Sequence, residues 1–161
     1  PMTCLAPVRR THSGFTLLEL LVVLVLAAIT VAVVGGSAQS YMDRARYHQT
    51  VRDVASLLVQ ARTLSEREGR AVVVAYEPES RQLVADGQWR VDLPESLQVQ
   101  WTAIERRKGA APVPGEPLFQ FNNDGGAQGG SLSVLRAGQG VKYRVNWLLG
   151  RIEQSSVQTP S

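Results

Sequence analysis

From Phe15 to Gly36 the chain is apolar at nearly every position, and Glu19 is the one charged residue in the run. At 1.5 Å per residue a helix over this stretch spans roughly 33 Å, close to the ~30 Å hydrocarbon core of a bilayer. One membrane crossing is therefore predicted. Past Gly35-Gly36-Ser37, which is expected to loosen the helix, the pattern becomes amphipathic. Tyr41, Ala45, Val51, Val54, Ala55, Leu58, Ala61 and Leu64 recur at three- and four-residue spacing. Asp43, Arg44, Arg46, Arg52, Asp53, Arg62 and Glu66 fall mostly off that face. The predicted helix continues to about Glu68, where Gly69 supplies the stop.

From Ala71 the period changes to that of strands. Ala71 to Tyr76 is rich in β-branched residues, and the runs 81–85 and 88–91 flank Asp86-Gly87, the favoured pair for a type I′ hairpin turn. A three-stranded meander is predicted. Leu97 to Trp101 alternates and reads as a further strand with one wet face, and Glu105 to Pro117, with three prolines and two glycines, reads as a loop. Leu118–Phe121, Ser131–Leu135 and Val141–Val145 are expected to form a second group of strands, closed by a short final strand after Gly150.

A carboxylate at membrane depth costs about 2.5–3.5 kcal/mol on insertion scales, so Glu19 is expected to be functional and to have a partner. Arg9 and Arg10 precede the run, with His12 nearby, so the positive-inside rule keeps the amino terminus cytoplasmic and sends the rest outward.

Gly14-Phe15-Thr16-Leu17-Leu18-Glu19-Leu20, behind a basic leader and ahead of an apolar helix, resembles the class III signal of type IV pilins and type II secretion pseudopilins. The resemblance implies cleavage after Gly14 by a prepilin peptidase, N-methylation of the new terminal Phe15, and a role for Glu19 in subunit assembly. It also implies that a neighbour's terminal amine pairs with Glu19 and relieves its desolvation. A weaker similarity covers the second half. Phe119-Gln120-Phe121, a glycine-rich turn, Gly130–Val134, Val141–Val145 and Gly150-Arg151-Ile152 resemble the H-type minor pseudopilin of type II secretion and related minor pilins of the type IV pilus tip.

The fold class expected on this basis is α+β, a long amino-terminal transmembrane and amphipathic helix packed on an antiparallel β-sandwich-like domain, the lollipop of pilins. The expected segments are a cleaved leader (1–14), a transmembrane or filament-core helix (15–36), its amphipathic continuation (37–68) and a periplasmic β-rich domain (69–161). The implied function is that of a minor pseudopilin near the tip of a periplasmic pseudopilus that drives protein export, anchored by a single pass in the inner membrane. A minor pilin of the type IV pilus is the alternative. The implied partners are the prepilin peptidase, the major and other minor pseudopilins, and the inner-membrane assembly platform.

Composition narrows the remaining possibilities. About 125 residues outside leader and anchor suffice for one small domain. The single cysteine, Cys4, lies in the expected leader, so the processed domain would hold no disulfide. That favours a pseudopilin, because the family resemblance associates many true pilins with one. Arg9 and Arg10 would also leave, so fifteen basic residues face fourteen acidic ones, and no basic run exceeds Arg106-Arg107-Lys108. Nucleic acid is not an expected partner; that trio reads as a solvated loop.

Other classes fit less well. An ordinary signal peptide could be cut near Gly36-Ser37-Ala38, but its apolar core would run about 7–15 residues without a carboxylate. A plain anchor explains the length and neither Glu19 nor the Gly14-Phe15 junction. Thr11-His12-Ser13 makes Arg9-Arg10 a poor twin-arginine signal, and Cys4 has no apolar segment ahead of it for lipoprotein processing. His48 is the only histidine outside the leader and no Gly-x-Ser-x-Gly elbow is present, so neither catalysis nor a histidine-cluster metal site is expected, and no cofactor is implied. Asn122-Asn123-Asp124-Gly125 lacks EF-hand spacing and reads as a turn. Trp89, Trp101 and Trp147 are expected in core or subunit contacts.

Overall fold

The computed structural model describes residues 14–159. It comprises α1 (Leu17–Glu68) and nine strands: β1 (Val72–Glu77), β2 (Gln82–Ala85), β3 (Trp89–Asp92), β4 (Gln98–Thr102), β5 (Glu116–Phe121), β6 (Ala127–Gly129), β7 (Ser131–Arg136), β8 (Gln139–Val145) and β9 (Ile152–Gln158). The architecture is α+β, a long helix followed by two antiparallel sheets in a pilin-like layout. By contact the chain divides into one unit up to Tyr41 and another from Met42 onward.

Within the first unit the described residues from Leu17 onward are helical, and this part of α1 is apolar on every side. Its best 18-residue window has a mean hydropathy of 3.0 and none of it is buried. A helix without a polar face suits lipid or a protein interior, and this one is long and apolar enough to cross a membrane. Its Thr30 hydroxyl donates to the Leu26 carbonyl at 2.8 Å, so this polar group is satisfied within its own helix. Gly35 and Gly36 do not interrupt α1.

The second unit is built around one core. Val54, Leu57, Leu58 and Ala61 of α1 are buried against Val72, Val74, Tyr76 and Leu83 of the first sheet and Leu132, Val134 and Tyr143 of the second. The buried stripe begins later than periodicity predicts. Tyr47 and Val51 are partly buried and pack on the core, whereas Ala45 is exposed, as is Tyr41 in the first unit. The helix ends at Glu68, and Gly69 follows with φ 63°, a left-handed conformation that terminates helices and that glycine adopts without strain.

The first sheet has the order β3-β2-β1-β5-β6 and the second β4-β7-β8-β9. The predicted meander β1-β2-β3 is present, and Asp86-Gly87, with φ of 53° and 67°, both positive as a type I′ turn requires, lies in the β2–β3 connection, which is three residues long because Ala85 pairs with Trp89. Strand membership differs from the sequence-based grouping. β4 joins the second sheet through β7, and β5 returns to the first beside β1. β5 also starts earlier than expected, at Glu116, and includes Pro117. The β1–β5 register shifts between Val74 and Ala75, and the bulge accommodates a proline that has no N–H for the ladder.

Two further departures concern the carboxy-terminal half. The short strand β6 was not anticipated, and β9 runs seven residues rather than forming a brief closing strand. Gly130 alone separates β6 of one sheet from β7 of the other. Its N–H donates to the Leu118 carbonyl at 2.8 Å, and a Cβ there would collide with the Thr102 carbonyl. The crossing from sheet to sheet therefore depends on a residue without a side chain.

Candidate assembly site at the start of the apolar helix

Gly14, Phe15 and Thr16 precede α1, and Thr16 is its amino-terminal cap. The Thr16 Oγ1 accepts a hydrogen bond from the Glu19 N–H at 3.2 Å, while the Thr16 carbonyl accepts from Glu19 N at 3.1 Å and from Leu20 N at 3.2 Å. The contacts to Glu19 satisfy an amide donor that the first turn would otherwise leave open, and the Leu20 bond is the first regular bond of the helix. Thr16 was not singled out by the sequence reading, although Thr-x-x-Glu ahead of an apolar run is the sequence pattern of a capping box.

Glu19 thus has two local consequences. Its backbone completes the cap, and its carboxylate lies in the first turn, where the helix dipole favours negative charge. The carboxylate itself has no hydrogen-bond or ion-pair partner among the described residues. Residues 14–41 contain no lysine, arginine or histidine, so nothing in the described part of this unit can neutralise it. A group from outside is needed once water is removed.

Gly14 is open. A Cβ placed on it meets nothing within 4 Å among the described residues. No contact of the described chain therefore calls for glycine at this position, and a requirement for it would lie in whatever handles the Gly14-Phe15 bond. Phe15 is 81 % exposed. The structure brings Gly14, Phe15 and Glu19 together within one segment; Arg9, Arg10 and Cys4 lie outside the described residues.

The other residues weighed from the sequence are dispersed. His48 is exposed, and its ring meets Tyr47 edge-on, with ring centroids 5.3 Å apart. In the β5–β6 turn the Asp124 carboxylate accepts from Gly126 N at 2.9 Å, and Gly125 N donates to the Asn122 carbonyl at 3.2 Å, a turn held by its own backbone. Among the described residues no cluster of histidine, cysteine and acidic groups could hold a metal. Trp89 packs on the core, Trp101 lies 4.8 Å from the Tyr76 ring, and Trp147 is largely exposed. Arg106, expected in a solvated loop, is instead partly buried.

An apolar amino-terminal helix with a capped, acid-bearing first turn, followed by antiparallel sheets, has the layout of pilin-like subunits. Residues 9–35 match the prokaryotic N-terminal methylation motif. The chain is also similar to type II secretion system protein H of Xanthomonas campestris pv. campestris, with 25 % identity over 154 residues, covering 96 % of this chain and 89 % of the relative. No solved structure matches the chain significantly. The similarity extends through the sheets as well as the helix, which favours the secretion-system resemblance over the pilus alternative.

Proposed function

We propose that this chain is a minor pseudopilin of a type II secretion system, of the H type, and that its role is structural rather than catalytic. The observation that carries the reading is the similarity to the secretion-system protein along nearly the whole chain, combined with the methylation motif over the Gly14-Phe15 junction. The apolar helix and the relative fit a protein anchored in the inner membrane.

In this proposal the prepilin peptidase cuts after Gly14 and methylates the Phe15 amine. The leader is 1–14, the membrane or filament-core helix 15–36 and its amphipathic extension 37–68, with the β-rich part, 69–161, in the periplasm. The Glu19 carboxylate, without a partner among the described residues, supports the assembly step. In the bilayer it is a costly charge awaiting a cation, and the N-methylated amine of a neighbouring subunit supplies one at a similar depth. Pairing lowers the cost of burying both charges and sets the axial register between helices. Major and other minor pseudopilins are the neighbours, and the inner-membrane platform delivers the subunits.

The test is mass spectrometry of the amino terminus after co-expression with the native prepilin peptidase. An N-methylated chain beginning at Phe15 in the membrane fraction supports the proposal. A soluble chain beginning near Gln39 would establish ordinary secretion and remove Glu19 from the mature protein.

A further inference from the structure

The first turns of α1 in the second unit share an open cleft of about 470 Å³ with the β7–β8 hairpin and the end of β9. Local chemistry builds both walls. Arg44 and His48 are four residues apart, so they stand on one face of the helix, and both are exposed. On the sheet wall, half-buried Arg136 pairs with Gln139 across a two-residue turn, Ala137-Gly138, whose φ values of 50° and 76° are both positive, as type I′ requires. Thr159 N donates to the Gly138 carbonyl at 2.8 Å and fixes the end of β9 to this turn. Ser156 and Gln158, two residues apart on β9, place exposed polar side chains in the lining of the same cleft.

The polar lining carries charge of one sign. Arg44 and Arg136 are permanent cations, His48 adds an imidazole, and no carboxylate lines the cleft among the described residues. Arg44 forms no ion pair with any described residue. Like charges gathered in a concave space raise the local potential and favour an anion. Donors enter from the helix and from the sheet, which suits a phosphate, whose oxygens are directed several ways. A planar carboxylate is already satisfied by one guanidinium through two parallel hydrogen bonds.

Connectivity indicates where such a phosphate comes from. Arg44 is eight residues past Gly36, the end of the apolar run, and eight residues reach at most about 29 Å even when fully extended. The cleft is therefore tethered close to the bilayer surface, where basic side chains meet the phosphodiesters of lipid headgroups. We infer that this cleft binds the headgroup of an anionic phospholipid, with the phosphodiester oxygens accepting from Arg44, Arg136 and His48. Half-buried Tyr47 and Val141 give the glycerol carbons an apolar margin that a free phosphate would not use. A zwitterionic headgroup would bring its own cation into a cleft that offers it no carboxylate, so charge complementarity selects the anionic lipid. The inference rests on the reading of residues 15–36 as the membrane anchor.

The experiment uses the full chain in micelles of a non-ionic detergent with histidine labelled by ¹³C, observing the His48 imidazole by NMR, its signal assigned by its loss in His48→Gln. The probes are dihexanoyl phosphatidylglycerol, dihexanoyl phosphatidylcholine, inorganic phosphate and the peptide acetyl-Ala-Glu-Ala-amide. Phosphatidylglycerol is expected to shift the His48 signal saturably and to bind about tenfold or more tightly than each of the other probes. Arg44→Gln and Arg136→Gln should each weaken that binding by a similar factor. No movement of the His48 signal, or equal binding of phosphatidylcholine, would overturn the inference. So would equal binding of inorganic phosphate, which would mark a free-anion site, or of the peptide, which would mark a protein partner. The comparison of probes on the wild-type chain decides the matter even where a variant misfolds. Binding in micelles does not require cleavage at Gly14, so its failure and a failure of the anchor reading, seen by mass spectrometry of the amino terminus, are separate results.

Discussion

The Tyr143 hydroxyl donates a hydrogen bond of 2.7 Å to the Val51 carbonyl, joining β8 to α1 across 92 positions of sequence. The Tyr143 side chain is fully buried, so the contact both satisfies a phenol within the core and ties the second sheet to the helix. Tyr143→Phe keeps the ring and loses the hydrogen bond. The expected cost is about 0.5–1.5 kcal/mol, read as a lowered unfolding midpoint in denaturant, because a helical carbonyl keeps its own helical partner.

Burial, and secondarily Tyr47, push the Tyr143 phenol above the ordinary tyrosine range. A raised folded-state value contributes stability that is complete below the unfolded value of about 10 and is lost as pH rises from there through the folded value. Thermal unfolding of the wild type should therefore weaken with pH above about 10, and Tyr143→Phe should show a smaller alkaline loss. Identical alkaline profiles would contradict this account.

Asp86 is held below the usual carboxylate range, first by its hydrogen bonds to Arg70 and then by that residue's charge. The sign is opposite to that of Tyr143. Stability from the pair is present above the unfolded carboxylate value of about 3.9 and is lost as pH falls through the lower folded value. Because the Arg70 side of the pair is exposed and screened by solvent while Asp86 is only partly buried, Asp86→Asn should cost little stability at neutral pH and flatten the acid limb. Asp86→Val should cost more, because φ of 53° is unfavourable for a β-branched residue.

Leu58 lies at the centre of the core and is fully buried. Leu58→Ala is expected to destabilise the second unit by about 2–5 kcal/mol, through lost transfer energy and a residual cavity. Val59, its exposed neighbour, should tolerate alanine with little change in the same denaturation assay.

Glu19→Val removes the only charge between Gly14 and Tyr41. Membrane insertion and cleavage should persist, and incorporation into sheared or overproduced filaments should fall. Normal incorporation would refute the pairing mechanism. Gly14→Val should block processing without altering unfolding of the second unit, since a Cβ at Gly14 meets nothing among the described residues; a correctly cut Gly14→Val chain would count against the cleavage proposal.

Local chemistry carried much of this protein into view from its residues alone. The apolar run from Phe15, the lone Glu19, the glycine that ends α1, the type I′ pair Asp86-Gly87 and the alternation of most strands are short-range signals, each set by sterics or hydrogen bonds among neighbouring residues. The Thr16 cap belongs to the same class, since Thr-x-x-Glu is written in four consecutive residues.

Sheet membership was decided only in three dimensions. Alternation marks a strand but does not name its partner, and the exchange of β4 and β5 between sheets rests on pairings distant in sequence. Gly130 permits the crossing by its close approach to Thr102, which no local pattern announces. Tyr41 and Ala45 continue the helical period yet remain exposed, while Tyr47 meets the core, because burial requires a sheet opposite the helix face. Arg106 reads as a loop charge in the sequence, and only the fold places its Nε out of reach of solvent and of a partner. Elements follow from contacts within a few residues; which elements meet, and which groups their meeting leaves unsatisfied, follow from packing across the whole chain.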